Sequence, residues 1–124
     1  LCPLDSATMG GQGAPMTDFK LPDECNTMTE VRDGVDATDR ALMELLDRRF
    51  GYMRAAARIK TDRSAVRDEA RKAAVISNAR LDAESRGLPS DALAAIWDDL
   101  VEASIAYESV EWERLRIEAP APAR

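Results

Sequence analysis

A periodic stretch over residues 31–60 constrains the fold of this chain more than any other segment. Its apolar residues recur at steps of three and four, the period of an α-helix. They are Leu42, Leu45, Leu46, Met53 and Ala56. A helix of this length would extend about 45 Å, well beyond the radius of a 100-residue globule. We therefore predict one long amphipathic helix that needs a partner chain to cover its apolar side.

Two cations lie on the apolar side of this helix. Arg49 follows Leu45 by one turn, and Lys60 follows Arg49 by close to three turns at ~3.6 residues per turn. A cation on a core-facing stripe is costly unless an anion meets it, so we expect carboxylates of the chain or a bound anion there. Arg32 lies roughly 25 Å from Arg49 along the axis at ~1.5 Å per residue, so it cannot join Arg49 and Lys60 around a small ligand within one helix. An antiparallel second copy in a two-fold dimer could bring an Arg32 to the Lys60 end.

The composition is that of a helical protein without histidine. The chain has 124 residues, 32% of them charged and 5% aromatic, with a net charge of −6. An acidic chain is not expected to bind nucleic acid, and no apolar run approaches the ~20 residues of a membrane span. There is no His, and Cys2 and Cys25 lack the spacing of a metal site. We expect no metal, no cofactor, no membrane contact, a cytoplasmic location and two free thiols, with a Cys2–Cys25 disulfide as the alternative.

The remaining segments predict two further helices between flexible ends. Gly and Pro residues mark residues 1–24 as a flexible segment, 25–118 as one helical domain and 119–124 as a flexible tail. We predict the second helix at about 65–86, ended by Gly87, and the third at about 91–117. Ser104 and Glu108 fall within the apolar stripe of the third helix, and Trp97 and Trp112 are interpreted as packing residues. The predicted fold is all-α, a three-helix protomer with one long N-terminal helix.

The polar residues expected to face the helix seams form a candidate site for a small dicarboxylate. They are Arg32 from a second chain, Arg49, Lys60, Asp68, Arg71, Ser104 and Glu108. Singly, each also has an ordinary structural explanation. Asp68 and Arg71, for example, are spaced as an i,i+3 ion pair, and a long cationic side chain can extend from a helix flank into water.

Five segments, in order and spacing, resemble the all-helical class of chorismate mutases and its branch that includes the isochorismate-pyruvate lyases. They are EVRDGVDATD around Arg32, LLDRRFGYM around Arg49, ARIK ending at Lys60, VRDEAR holding Asp68 and Arg71, and ASIAYES holding Ser104 and Glu108. The resemblance covers roughly residues 22–119. It implies an intertwined homodimer with two equivalent sites, in which Arg32 reaches one substrate carboxylate from the partner chain.

The resemblance also implies a role for each residue of one site. Arg49 would hold the other carboxylate, and Lys60 would contact the ether oxygen and a carboxylate. Asp68 and Arg71 would line the ring side, and Ser104 would support binding. Glu108 would take the position of the second ether-oxygen donor, which requires a protonated carboxyl group. The implied catalytic residues are therefore Lys60, Glu108 and Arg49, and a Claisen rearrangement needs no base or cofactor beside them.

Three functions are compatible with these residues. The first, which we expect, is chorismate mutase, which converts chorismate to prephenate. The second is isochorismate-pyruvate lyase, which converts isochorismate to salicylate and pyruvate. Lys72 stands where many mutases have a Glu that contacts the substrate hydroxyl, so the choice of substrate stays open. The third is a non-catalytic helical dimer or effector-binding module that kept the fold.

Overall fold

The computed structural model describes residues 20–118, most of which lie in three α-helices. Helix α1 spans Met28–Ile59, α2 spans Glu69–Ser85 and α3 spans Ser90–Glu118. Single 3₁₀ turns lie at Pro22–Glu24 and Arg63–Ala65. No strand occurs between residues 20 and 118, so the predicted all-α class is confirmed for this range. The predicted flexible segments lie outside the described residues, apart from 20–24.

A capping box fixes the start of α1. The Thr27 hydroxyl oxygen accepts a hydrogen bond from the Glu30 N–H at 3.1 Å, and the Glu30 carboxylate accepts one from the Thr27 N–H at 3.2 Å. Lys20 forms an ion pair with the same carboxylate at 2.6 Å. The hydrogen bond from Lys20, followed by that from the Asn26 N–H, lowers the pKa of Glu30 to about 2. These contacts explain why α1 begins slightly before the periodic stretch that predicted it.

Two aspartates shift the start of α2 away from its predicted position. Asp62 caps the 3₁₀ turn by accepting from the Ser64 N–H at 2.9 Å. Asp68 is the N-cap of α2 and accepts from the Arg71 N–H at 3.0 Å. The predicted start near residue 65 is therefore wrong, because Asp62 begins only a single 3₁₀ turn and the α-helix begins after the second cap, Asp68.

Gly87 ends α2, as predicted. Its φ is +70°, in the left-handed region, and its N–H donates to the Glu84 carbonyl at 3.1 Å. The Leu88 N–H donates to the Ala83 carbonyl at 2.9 Å. This pair of bonds is the Schellman motif, which satisfies the last carbonyls of a helix and favours glycine at the left-handed position.

The chain divides into two compact units, Leu1–Arg49 and Phe50–Arg124, with the boundary inside α1. In the second unit α2 packs along α3. The last turns of α1 in that unit also contact α3. The Phe50 and Tyr107 rings meet edge to face with centroids 5.0 Å apart, and the Arg54 guanidinium donates to the Tyr107 hydroxyl oxygen at 2.9 Å. The prediction of one domain over 25–118 stays a prediction.

Large apolar side chains repeat along one side of α1 and are exposed, whereas the buried apolar residues are small. The buried set is Ala37, Ala57, Val66, Ala83, Ala94 and Val101. The exposed large apolar residues of α1 are Met28, Val31, Val35, Leu42, Met43, Leu45, Tyr52 and Ile59. All of them except Met43 fall at alternating steps of three and four residues, with Thr38, Arg49 and Ala56 at the intervening positions. This is the heptad pattern of a helix that packs against another helix. We call these ten positions, without Met43, the α1 stripe.

The left-handed conformation of Gly87 generates a stability prediction. Gly87→Ala should lower the free energy of unfolding by about 1–2 kcal/mol, since no atom would crowd a new Cβ and only the backbone strain acts. Gly87→Asn should lower it less, because Asn adopts this conformation more readily. Urea unfolding of both variants and the wild type measures the difference. An alanine variant as stable as the wild type would contradict the assignment of strain to this residue.

Candidate functional site

Lys60 and Glu108 form an ion pair where α1 ends. Lys60 follows the last residue of α1, and its ammonium lies 2.8 Å from the Oε2 atom of Glu108 on α3. Glu108 is buried, with 4% of its surface exposed, whereas the Lys60 side chain keeps 29%. The two groups meet without the alignment of a hydrogen bond. The anion that the sequence required beside Lys60 is therefore supplied by the chain itself.

Ser104 precedes Glu108 by one turn of α3 and is buried, with 3% of its surface exposed. Its hydroxyl donates to the Leu100 carbonyl at 2.7 Å, the usual partner of a serine inside a helix. Ser104 and Glu108 thus place two buried polar side chains on neighbouring turns of α3.

Asp68 and Arg71 lie at the head of α2, where the sequence placed them together. The contact between them joins the Asp68 carboxylate to the Arg71 backbone N–H rather than to its guanidinium. The guanidinium is exposed and lines a pocket of about 460 Å³ between α2 and α3, together with Asn78, Leu93 and Trp97. Asp68 therefore has a structural role as a helix cap, and Arg71 has a side chain available to a ligand in that pocket.

A cluster of charges that was not predicted from the sequence links the start of α2 to α3. Glu102 accepts from Arg67 at 2.7 Å and from Lys72 at 2.5 Å, and Asp98 lies 3.3 Å from the Lys72 ammonium. The hydrogen bonds from Arg67 and then from Lys72 lower the pKa of Glu102 to about 2. The hydrogen bond to Glu102 raises the pKa of Lys72. Lys72 is therefore directed at carboxylates of α3. The only indication of this charge cluster in the sequence was the i,i+4 spacing of Asp98 and Glu102.

Arg32 and Arg49 lie on α1 in the first unit. The Arg32 side chain is exposed and that of Arg49 is half-buried. Arg49 occupies a position of the α1 stripe, as the periodicity predicted. The assignment of either residue to a substrate stays a prediction.

Residues 20–118 contain no candidate metal site, because no three or more Cys, Asp or Glu side chains in this range are grouped to hold an ion. None of the helices within these residues has an apolar stretch of the length that a bilayer requires.

Residues 31–109 match the family described as chorismate mutase type II. The match covers more than half of the chain and contains every predicted site residue, and the chain belongs to this family. Among curated proteins, the chain is similar to the isochorismate pyruvate lyase of Pseudomonas aeruginosa. The two are 27% identical over 98 residues, which cover 79% of this chain and 97% of the relative. The family inferred from the five sequence segments is therefore confirmed, and membership suggests an enzyme.

The lowered pKa of Glu102 generates a pH prediction. Its stabilising contribution should be complete above the ordinary pKa of 4.5 and should be lost as the pH falls from 4.5 towards 2, where the carboxylate is protonated. The difference in unfolding free energy between the wild type and Glu102→Gln should therefore shrink over that range. Urea unfolding at a series of pH values measures it.

Salt provides the control for this prediction. Because the groups of the cluster are partly exposed, the difference at neutral pH should also shrink in about 1 M salt, where charges are screened within roughly 3 Å. A difference that stays the same from neutral to acidic pH would show that Glu102 does not stabilise the fold through its charge.

Proposed function

We propose that this protein is a chorismate mutase that converts chorismate to prephenate. The observation that supports the proposal most is the contact between Lys60 and Glu108, a partly exposed ammonium held by a buried carboxyl group. These are the two positions that the family resemblance assigns to the groups facing the ether oxygen. The reaction needs the substrate folded and the developing negative charge stabilised, and it requires no nucleophile.

Lys60 is suited to stabilise that charge. An ammonium has three N–H donors, and the contact with Glu108 occupies one side of the group. The others can reach the ether oxygen as its bond to the ring breaks. Glu108 fixes the direction of the ammonium, and when protonated it can donate to the same oxygen. Arg49 and Arg32 of a second chain would each bind a substrate carboxylate. A millionfold acceleration requires roughly 8 kcal/mol, which oriented charge-assisted hydrogen bonds of this kind can provide.

Isochorismate-pyruvate lyase is the second candidate function. The curated relative carries that name and is covered almost completely by the alignment, which favours this alternative. Lys72 is consistent with it, since many mutases have at this position a Glu that contacts the substrate hydroxyl, whereas the Lys72 ammonium is paired with Glu102 and Asp98. Both reactions are pericyclic and use the same carboxylate contacts, so the site residues proposed here serve either one.

Turnover of the two substrates tests the proposal. Purified protein is incubated with chorismate or isochorismate, and prephenate, salicylate and pyruvate are quantified. We expect prephenate from chorismate. Lys60→Ala should lower kcat roughly a hundredfold or more, because it removes a preorganised donor to the developing charge. Arg58→Ala is the matched control, since Arg58 is an exposed cation two residues earlier.

The other outcomes distinguish the alternatives. Salicylate and pyruvate from isochorismate, without prephenate from chorismate, would replace the mutase by the lyase. No turnover of either substrate would favour the non-catalytic helical dimer.

We further propose that two chains form a homodimer through the α1 stripe and that each contributes Arg32 to the site of the other. The stripe supports this because its large apolar side chains are exposed in the single chain. Leu45→Glu should therefore produce monomers, whereas Leu81→Glu, an equally exposed leucine on α2, should not. Sedimentation equilibrium of both variants measures the mass. A wild type that sediments as a monomer would contradict the proposal.

Subunit complementation tests the position of Arg32. The Arg32→Ala and Lys60→Ala variants, each expected to be inactive alone, are mixed in equal amounts and allowed to exchange subunits. If Arg32 acts across the interface, each mixed dimer has one intact site, and about a quarter of wild-type activity should return, because half of the dimers are mixed. If Arg32 acts within its own chain, no site is intact and the mixture stays inactive.

A further inference from the structure

Three residues of α3, one turn apart, contact Lys60. Glu108 holds its ammonium, as described above. Trp112 donates its indole N–H to the Lys60 carbonyl at 2.9 Å. Arg116 donates to the same carbonyl at 2.5 Å and to the Ala57 carbonyl at 2.7 Å. Positions 108, 112 and 116 lie on one face of the helix, so a single face of α3 binds both the side chain and the backbone of Lys60.

The backbone contacts satisfy carbonyl groups at the end of α1. The last carbonyls of a helix lack intrahelical partners, and the end of α1 carries partial negative charge. The Lys60 N–H still donates to the Ala56 carbonyl at 2.9 Å, so Lys60 stays attached to the last turn. The Arg116 guanidinium lies 4.3 Å from the centre of the Trp112 ring, which holds the two donors together.

We propose that Trp112 and Arg116 are positioning residues that fix the Lys60 backbone so that its ammonium stays between Glu108 and the substrate. The inference rests on the proposed function, in which Lys60 donates to the ether oxygen. Both residues lie beyond residue 109, where the family match ends. The match therefore does not account for them, and the structure gives Trp112 a role beyond the packing that its apolar position predicted.

The kinetic test removes the two donors one at a time. Trp112→Phe keeps an aromatic ring near Arg116 but removes the indole donor together with part of the ring area, and Arg116→Met removes the guanidinium donors. Both should lower kcat about tenfold or more with a smaller change in KM, because a small displacement of a catalytic group acts mainly on the transition state. Arg114→Met is the matched control, since Arg114 pairs with Glu111 on the same helix.

A double-mutant cycle distinguishes positioning from a general loss of structure. In a Lys60→Met background, Trp112→Phe and Arg116→Met should lower the residual kcat no further, because the group through which they act is already absent. A structural role would instead lower kcat by the same factor in both backgrounds. Equal factors would overturn the proposal.

Competitive acetylation gives a readout that does not depend on activity. Each variant is treated with a limiting amount of an acetylating reagent, and mass spectrometry compares Lys60 with Lys72, which serves as the internal reference. The ratio of acetylated Lys60 to acetylated Lys72 should rise several-fold in Trp112→Phe and Arg116→Met, and it should stay constant in Arg114→Met. An unchanged ratio in the first two variants would overturn the proposal. A wild type without turnover would overturn the proposed function instead, and the acetylation ratio would still decide whether Trp112 and Arg116 position Lys60.

Discussion

The contact between Lys60 and Glu108 is the interaction on which the candidate site depends. A carboxylate as buried as that of Glu108 is costly to remove from water, and a cation beside it offsets much of that cost. Replacing a buried ion pair by apolar side chains is often neutral or stabilising, so stability alone gives little reason to keep one. Binding of a charged substrate gives a reason, because it requires a fixed ammonium with part of its surface accessible. Lys60 meets both conditions.

The α1 stripe imposes the second constraint. Residues 20–118 bury small apolar side chains and leave the large ones of the α1 stripe exposed. A helix with such a face is stabilised by packing rather than by its intrinsic propensity, so a second chain would complete the fold. Arg49, which we propose binds a substrate carboxylate, occupies one position of this stripe. If the dimer forms as proposed, association and substrate binding use the same helix, and the site is complete only in the assembly.

Local signals in the sequence predicted much of the fold. The long helix followed from the spacing of residues such as Leu42 and Leu45, and the end of α2 followed from Gly87, because its left-handed conformation favours glycine. The start of α2 was wrong because Asp62 and Asp68 are both good caps, and periodicity cannot show which one begins a helix. Lys60 and Glu108 were identified separately, as charges on apolar stripes. Their contact depends on how α1 and α3 are paired.

The partners of other residues depend on how each helix is rotated about its axis, and this rotation cannot be read from a single sequence. Glu102 and Asp98 gave no reason to expect Lys72 as their partner, since many surface carboxylates have the same spacing. Trp112 carried the signal of an apolar residue and none of a hydrogen-bond donor to the Lys60 carbonyl. Such contacts follow from the packed arrangement of α1, α2 and α3, and they become visible only when the helices are placed in space.

We propose that the Lys60 ammonium, held by Glu108, is a preorganised binding group for a folded dianion. Calorimetric titration with a rigid bicyclic dicarboxylate shaped like the transition state measures this binding. If the ammonium has this role, one ligand should bind per chain, at least about a hundredfold more tightly than chorismate, with most of that advantage lost in Lys60→Met. Equal affinity of the wild type and Lys60→Met for this ligand would show that the ammonium does not bind the dianion.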